Sequence, residues 1–142
     1  ELWLPGPGTS SELGEHWLSE NLIGSGNEFV SMNGKHVFQH AVVKMPEVLK
    51  SACDQSGYKI EDIDLFFFHQ ANLRINQKIV EDLGLDPKKV YNTIHKYGNT
   101  TAATIPLGMV DAYNAGVLKK GMLIALVSFG AGFTWGASIV RY

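Results

Sequence analysis

The sequence predicts a layered α/β fold, in which helices pack on a mixed sheet whose last strand is antiparallel. Two short apolar runs have the length of buried strands, Ile63–Phe68 and Met122–Ser128. The first run is followed by a helical pattern, and a strand followed by a helix indicates an α/β unit. After the second run, residues 133–140 alternate in character, so they are predicted to form a final strand that returns across a short turn.

The helices are predicted from apolar residues that recur every three or four positions. Gly34–Ser56 carries such a stripe, and Pro46 inside it predicts a kink or a break. After the first strand, Asn72 is expected to cap a second helix that ends at Gly84.

Three shorter segments complete the pattern. Asp86-Pro87 predicts a short helical turn, and Val90–Thr93 predicts a brief extended piece. Either Thr100 or Thr101 is expected to cap a further helix, which should run to about Ala115.

Composition indicates one domain preceded by a loop-rich N-terminal segment. Residues 1–28 are rich in glycine and proline without a sustained period, whereas residues 29–142 carry the patterns of the predicted domain. A chain of 142 residues with 45% apolar content can bury a substantial core. The net charge of −2 gives no electrostatic reason to expect nucleic acid or a membrane as a partner. The single cysteine and the lack of a signal-peptide pattern predict the cytoplasm.

Three polar or glycine-rich clusters stand where predicted strands or loops end, the usual place for sites in open α/β sheets. They are residues 69–72 (His-Gln-Ala-Asn), the loop around Asn99, and residues 130–132 (Gly-Ala-Gly). Their N–H groups could together stabilise a developing oxyanion. Each cluster also has a plain structural interpretation, namely a satisfied structural His69, a turn or helix cap at Asn99, and a hairpin turn.

Two other features are weaker candidates for chemistry. Cys53 lies on the apolar face of its helix, where a small buried hydrophobe is favoured over a nucleophile. His36 and His40 are four residues apart and could share a metal ion. Without a third ligand a solvated helix edge is favoured, so no metal site is predicted.

Four motifs in a fixed order give a more specific signal than any one of them. They are "MNGKHVFQHAV", "HQANLRI", "YGNTTAATIP" and "SFGAGFTWGASIVRY". In wording and separation they resemble the C-terminal half of β-ketoacyl-acyl-carrier-protein synthase III, a thiolase-like family, over about residues 29–142. The resemblance implies a decarboxylative Claisen condensation in fatty acid or related polyketide biosynthesis. It implies acyl-CoA and malonyl-acyl-carrier-protein thioesters as substrates and no cofactor.

The resemblance also implies roles for individual residues. His69 and Asn99 match the family's hydrogen-bond donors to the malonyl thioester carbonyl. Phe129 matches the residue beside the leaving carboxylate, and the backbone N–H that follows Gly130 matches a donor to the acyl oxyanion. That N–H belongs here to Ala131, in a position where the family has glycine, and its Cβ narrows the allowed backbone angles.

Further positions are similar to the substrate entrance of the family. Three residues match positions that line the pantetheine entrance: Gly34, Phe38 and Asn72. Arg74 matches a basic residue used for docking the acidic carrier protein. Glu81 and Asp82, further along that helix, stand where the family often has lysines.

The family's nucleophilic cysteine lies in its N-terminal half, and Cys53 does not fall at that position. The chain, which lacks an initiator Met, is therefore expected to hold the decarboxylation donors and to be inactive without the cysteine-bearing half. The expected partners are that half, acyl carrier protein, acyl-CoA and a second copy in a homo-oligomer. The alternative interpretation is a non-catalytic module that binds a thioester or stabilises a partner.

Overall fold

The computed structural model describes residues 2–3 and 31–142, so most of the predicted N-terminal segment, residues 1–28, lies outside the described residues. The chain divides into two compact units. The smaller unit comprises Glu1–His40 with Gly130–Thr134, and the larger one Ala41–Phe129 with Trp135–Tyr142. In the smaller unit, β1 (Leu2–Trp3) pairs antiparallel with β2 (Ser31–Met32).

The first helix, α1, spans Gly34–Ser56, as the apolar stripe predicts. Of the predicted kink or break at Pro46, the break is absent, because the helix runs through this residue without interruption. Proline removes one backbone hydrogen bond and costs about 3 kcal/mol within a helix. Burying the side chains around it offsets that cost, since a single fully buried Leu or Met contributes about 1.5–3 kcal/mol. The buried residues of α1 are Ala41, Met45, Pro46, Leu49 and Cys53.

Three strands form the sheet of the described residues, in the order β3, β4, β5. They span Leu65–Phe68, Leu123–Gly130 and Thr134–Arg141. β3 pairs in parallel with β4, with Leu65 opposite Ile124. The backbone N–H of Tyr142 donates to the Met122 carbonyl over 2.9 Å, so the chain end returns antiparallel beside the start of β4. The prediction of a mixed sheet with an antiparallel last strand is confirmed.

Two helices follow β3 and the loop around Asn99, respectively. α2 (Leu73–Leu83) begins as predicted, because the Asn72 side-chain oxygen accepts from the Arg74 N–H over 3.0 Å, and it ends at Gly84 with φ 62°. α4 (Thr104–Asn114) follows a 3₁₀ turn over 101–103. Neither Thr100 nor Thr101 caps it through a side chain, so that expectation is wrong.

The segment between α2 and α4 is more helical than predicted. The expected turn is present as a 3₁₀ helix over Pro87–Lys89, capped by the Asp86 carboxylate. The extended piece is reduced to one parallel bridge between Val90 and Phe66. A single helical turn, α3 (Ile94–Tyr97), follows it and was not predicted.

The core of the larger unit is built around β3, whose four side chains are all buried. On one face, Leu65 and Phe67 pack with Ala112 of α4, Ile124 of β4 and Leu118 of the loop between them. α4 approaches this face closely, since a Cβ added at Gly108 would lie 3.5 Å from the Phe67 ring. Phe66 and Phe68 are equally buried on the other face. Burial on both faces fixes the end of β3, which is where the candidate site begins.

Candidate active site

His69 follows directly after β3 and is held in the sheet by its backbone. Its N–H donates to the Val127 carbonyl over 2.9 Å, which continues the parallel pairing of β3 with β4 by one residue. The side chain is half-buried. The imidazole therefore lies at the carboxyl end of a buried parallel strand pair, the edge at which open α/β sheets place their ligands.

The Gln70 side chain connects this edge of the sheet by hydrogen bonds to the segment that leads to Asn99. It is 2% exposed, and its Nε2 donates to the Phe68 carbonyl over 2.8 Å. Its Oε1 accepts from the backbone N–H groups of Thr93 at 3.0 Å and Ile94 at 3.1 Å. One buried amide thus satisfies three backbone groups, two of them at the start of α3. Sequence analysis gave Gln70 no role of its own, because only the tertiary fold brings these partners together.

The ring of His69 contacts a buried hydroxyl. Its Nδ1 lies 2.6 Å from Thr104 Oγ1, although the two residues are 35 positions apart in the sequence. Thr104 is 2% exposed, and its hydroxyl also lies 3.0 Å from the Thr101 carbonyl oxygen. Burial lowers the pKa of the His69 imidazole below its usual value, so the ring is neutral at pH 7.

Asn99 is joined to the same network through Thr101. The Thr101 N–H donates to the Asn99 side-chain oxygen over 3.0 Å, which assigns the Nδ2 end of that exposed amide to donation. Gly98 precedes it with φ 68° and ψ −159°, a combination that is essentially restricted to glycine. The structure therefore connects the two predicted donors, His69 and Asn99, through Thr104 and Thr101. The sequence alone assigned no role to Thr104 and only that of a possible helix cap to Thr101, although each stands inside the quoted motif "YGNTTAATIP".

A carboxylate on α4 holds α3 in place beside this loop. Asp111 accepts from the Lys96 ammonium, from the Tyr97 hydroxyl at 2.8 Å and from the Tyr91 hydroxyl at 3.0 Å. The hydrogen bonds from Lys96 and then Tyr97 hold the pKa of the Asp111 carboxyl below its usual value. The hydrogen bond between Lys96 and Asp111 in turn raises the pKa of the Lys96 ammonium group. These four residues, called the Asp111 clamp below, restrain the segment that ends at Asn99.

The predicted pocket residues fall into both units. In the larger unit, Phe129 is 6% exposed and stacks on Trp135, with ring centroids 6.2 Å apart and planes 5° apart. In the smaller unit, Gly130 ends β4, and the exposed Ala131 accepts at its carbonyl from the Thr134 hydroxyl over 3.1 Å. The chain then turns through Gly132 and Phe133, which have φ 72° and 51°. The hairpin turn that sequence analysis proposed for the glycines is present.

The predicted entrance residues are likewise distributed. Asn72 and Arg74 are exposed at the start of α2, where the Asn72 oxygen serves as the helix cap. In the smaller unit, Gly34 is exposed at the first position of α1, and Phe38 is half-buried one turn later. The Nδ2 amide of Asn72 and the Arg74 guanidinium are the donors this end of α2 offers to a ligand.

The remaining candidate groups within residues 31–142 are the histidine pair of α1 and Cys53. No group of three or more His, Cys, Asp or Glu side chains there could hold a metal ion. The His40 Nδ1 donates to the His36 carbonyl over 2.9 Å, and the two rings meet edge to face at 4.3 Å. Cys53 is 2% exposed, and burial, followed by the nearby Asp54 carboxylate, raises the pKa of its thiol. In the described part of the chain, no helix is both long and apolar enough to cross a membrane.

Comparison with known sequences identifies relatives over most of the chain. A sequence model of the family described as 3-oxoacyl-[acyl-carrier-protein (ACP)] synthase III C terminal matches residues 53–142. β-Ketoacyl-[acyl-carrier-protein] synthase III of Nitratidesulfovibrio vulgaris is 45% identical over 114 residues, which are 80% of this chain and 34% of that protein. The Synechocystis protein of the same name is 40% identical over 125 residues, 87% of this chain and 38% of that one. The chain therefore spans about a third of the length of these relatives.

Solved structures give the same result for the backbone. The synthase III structure from Thermus thermophilus superimposes with a TM-score of 0.79 at 43% identity, covering 81% of this chain and 36% of that one. The corresponding structure from Aquifex aeolicus has a TM-score of 0.79 at 40% identity, covering 81% of this chain and 37% of that one. The predicted α/β fold of the thiolase-like C-terminal half is confirmed.

Proposed function

Because the chain belongs to the 3-oxoacyl-[acyl-carrier-protein] synthase III C-terminal family, we propose that it forms the decarboxylation half of a condensing enzyme. In this reaction a malonyl thioester loses carbon dioxide, and the resulting enolate carbon attacks an acyl group carried on a cysteine. The acyl group comes from acyl-CoA, and the product is a 3-oxoacyl thioester used in fatty acid biosynthesis. The two relatives described above are β-ketoacyl-[acyl-carrier-protein] synthases, which supports this reaction class.

The proposal assigns the chemistry to His69 and Asn99. Loss of carbon dioxide leaves negative charge on the thioester oxygen, and fixed donors aimed at that oxygen lower the barrier. The two donors would be the His69 ring and the Asn99 Nδ2 amide. The observation that carries the proposal is the hydrogen-bonded chain between them. It runs through the Thr104 hydroxyl and through the backbone bond from the Thr104 N–H to the Thr101 carbonyl.

Neutral donors suit this step better than charged ones. A full positive charge beside the substrate would hold the malonyl carboxylate in place and oppose its departure. Burial lowers the pKa of His69, which keeps the ring uncharged at neutral pH. The exposed amide of Asn99 carries no charge at any pH.

We further propose roles for the other residues that match the family's motifs. Phe129 would border the leaving carboxylate, where an apolar ring favours its conversion to neutral carbon dioxide. The backbone N–H of Ala131, after Gly130, would donate to the acyl oxyanion. The stacking of Phe129 on Trp135 supports the first role, because it holds the aromatic ring in one orientation.

Each unit holds residues that match the family's entrance positions. In the larger unit, Asn72 and Arg74 at the start of α2 would guide the pantetheine arm of the thioester, and Arg74 would attract the acidic carrier protein. In the smaller unit, Gly34 and Phe38 of α1 are proposed as pantetheine-binding positions.

The complete enzyme would require a second polypeptide segment that carries the nucleophilic cysteine. Cys53 is a poor candidate, since its thiol is buried and its pKa is raised. The proposed partners are thus the cysteine-bearing half, acyl carrier protein, acyl-CoA and a second copy of the assembled enzyme. The cytoplasm is the proposed location, because a single free cysteine suits a reducing compartment.

The proposal is tested by reconstitution. The chain is combined with the cysteine-bearing half of a synthase III, and release of carbon dioxide from malonyl thioester is measured together with formation of the 3-oxoacyl product. We expect His69→Ala and Asn99→Ala to abolish most of both signals. His95→Ala, an exposed histidine of α3, is the matched control and should retain them. Equal rates for wild type and His69→Ala would contradict the catalytic proposal, and thioester binding without turnover would favour a non-catalytic module.

A further inference from the structure

We propose that Thr104 is a positioning residue that selects the tautomer of His69. Its hydroxyl donates to Nδ1, so the neutral ring carries its hydrogen on Nε2 and offers that N–H to the substrate. The mechanistic part of this inference rests on the proposed function, whereas the tautomer itself can be measured on the chain without any substrate.

The Thr104 hydroxyl has a single hydrogen to donate. Two acceptors are within its reach, the Thr101 carbonyl oxygen at 3.0 Å and His69 Nδ1 at 2.6 Å. The Thr101 carbonyl already accepts the backbone N–H of Thr104 itself. It therefore stays satisfied when the hydroxyl hydrogen is directed to the imidazole.

The distance between the ring and the hydroxyl bears on the direction of the bond. Bonds donated by N–H groups to oxygen usually measure about 2.7–3.2 Å between heavy atoms. The 2.6 Å separation of Nδ1 and Oγ1 is shorter than that range. This geometry indicates the hydroxyl as donor and Nδ1 as acceptor.

Only the neutral imidazole has two tautomers. A charged imidazolium carries hydrogens on both nitrogens, so a hydroxyl could not donate to Nδ1. Burial of His69 disfavours that charged form. Burial thus favours the neutral ring, and the hydrogen bond from the Thr104 hydroxyl to Nδ1 leaves its hydrogen on Nε2.

Thr101 is hydrogen-bonded to both Thr104 and Asn99 through its backbone groups. Its carbonyl group anchors Thr104, and its N–H anchors the Asn99 oxygen over 3.0 Å. Both bonds arise from one residue in a left-handed backbone conformation, with φ 52°. The peptide groups of Thr101 therefore direct two neutral donors, the ring Nε2–H and the amide Nδ2–H, from opposite ends of one hydrogen-bonded chain.

The tautomer is tested by nitrogen NMR of the chain labelled with ¹⁵N in histidine, at a pH of about 8, which is above the ordinary histidine pKa. We expect the long-range ¹H–¹⁵N pattern of a ring protonated at Nε2, with the Nδ1 resonance shifted as in a nitrogen that accepts a hydrogen bond. Thr104→Val should move the Nδ1 resonance toward that of an unprotonated ring nitrogen that accepts no hydrogen bond. Thr104→Ser should restore the wild-type position of the resonance. Thr100→Val is the matched control, because the Thr100 hydroxyl is buried without a hydrogen-bond partner among the described residues.

A wild-type spectrum with the hydrogen on Nδ1 would overturn the inference, as would an Nδ1 resonance that is identical in wild type and Thr104→Val. Should Thr104→Val fail to fold, the wild-type spectrum alone still decides. In the reconstituted enzyme we expect Thr104→Val to lower kcat for decarboxylation roughly 10- to 100-fold, as loss of the partner behind a functional histidine does at metal sites, with KM little changed. If the tautomer is as proposed and His69→Ala has no effect on turnover, the proposed function fails while the structural inference stands.

Discussion

The backbone N–H of Thr101 donates a 3.0 Å hydrogen bond to the side-chain oxygen of Asn99, and Thr101 does so with φ 52°. A β-branched residue rarely adopts this left-handed conformation, which costs roughly 1–2 kcal/mol. Such backbone outliers are concentrated at functional sites, where the surrounding structure maintains them. Here the outlier fixes which end of the Asn99 amide faces a ligand.

Asn99→Asp separates the two functions of this amide. A carboxylate oxygen can still accept from the Thr101 N–H, but the Nδ2 donor is replaced by a second acceptor. We expect decarboxylation by the reconstituted enzyme to fall roughly 10²- to 10³-fold, the usual effect of removing one oxyanion donor. The free energy of unfolding should change by less than about 0.5 kcal/mol, measured by urea denaturation. A variant that keeps its rate would show that Asn99 acts only as a turn residue.

Gly98→Ala tests the backbone that delivers Asn99. A Cβ at this position would meet no atom within 4 Å, so any effect arises from φ 68° and ψ −159° alone. Alanine in this region costs about 1–3 kcal/mol, and the loop should relax by moving Asn99. We expect loss of both stability and decarboxylation rate.

Gly57→Ala is the matched control for this backbone effect. Gly57 follows α1 with φ 74°, and an added Cβ there would likewise meet no atom within 4 Å. The control should lose roughly 1 kcal/mol of stability and none of the decarboxylation rate. Equal losses of rate in Gly98→Ala and Gly57→Ala would exclude a specific role for the conformation of Gly98.

The parts of the fold that the sequence predicts are those set by local chemistry. α2 has a cap at Asn72 and a left-handed glycine at its end, and both signals lie within a few residues of the helix they bound. The cap of α4 was predicted wrongly, because a 3₁₀ turn over 101–103 separates Thr100 from the first residue of the helix and includes Thr101. Thr104 could not be paired with His69 in advance, since their contact depends on how α4 packs against β3.

Gln70→Ala should destabilise the chain without touching a substrate. It leaves the N–H groups of Thr93 and Ile94 without their acceptor inside the protein, and each unsatisfied buried group costs about 1–3 kcal/mol. We expect the free energy of unfolding to fall by about 2–3 kcal/mol in urea titrations. Gln77→Ala, an exposed position of α2, is the control and should change it by less than about 0.5 kcal/mol. Similar values for the two variants would contradict the anchoring role of Gln70.

The Cys53 thiol should be unreactive toward alkylating and acylating reagents in the folded chain. Alkylation requires a thiolate in contact with solvent, whereas this thiol is 2% exposed and its pKa is raised by burial. We expect iodoacetamide to react at least roughly 10³-fold more slowly than in the urea-unfolded chain, because reaction must await opening of the structure. Intact mass after incubation with acyl-CoA should show no acyl adduct. An adduct on Cys53 would mean that the chain carries its own nucleophile.

Asp111→Asn should weaken the Asp111 clamp in a manner that depends on pH. The hydrogen bonds from Lys96 and Tyr97 lower the pKa of Asp111 in the folded chain, whereas the unfolded chain has the usual value near 3.9. A lowered carboxyl pKa contributes stability that is fully present above the unfolded value and is lost as pH falls through the folded value. The difference in unfolding midpoint between wild type and Asp111→Asn should therefore be constant from about pH 8 to pH 5 and shrink below about pH 4.

The measurement is a set of urea denaturation curves at pH 7, 5 and 3 in low salt, because exposed ion pairs are screened by salt. Asp54→Asn removes an exposed carboxylate near the end of α1 and serves as the control for general charge effects. At pH 3 the Asp111 carboxyl is largely protonated in the unfolded chain, where it then has the same charge as the amide of the Asn variant. A difference in unfolding midpoint that persists unchanged at pH 3 would therefore contradict the assignment to the Asp111 charge. Because the clamp restrains α3 and thereby Asn99, the same variant should also lower the decarboxylation rate at pH 7, where the wild-type carboxylate is fully ionised.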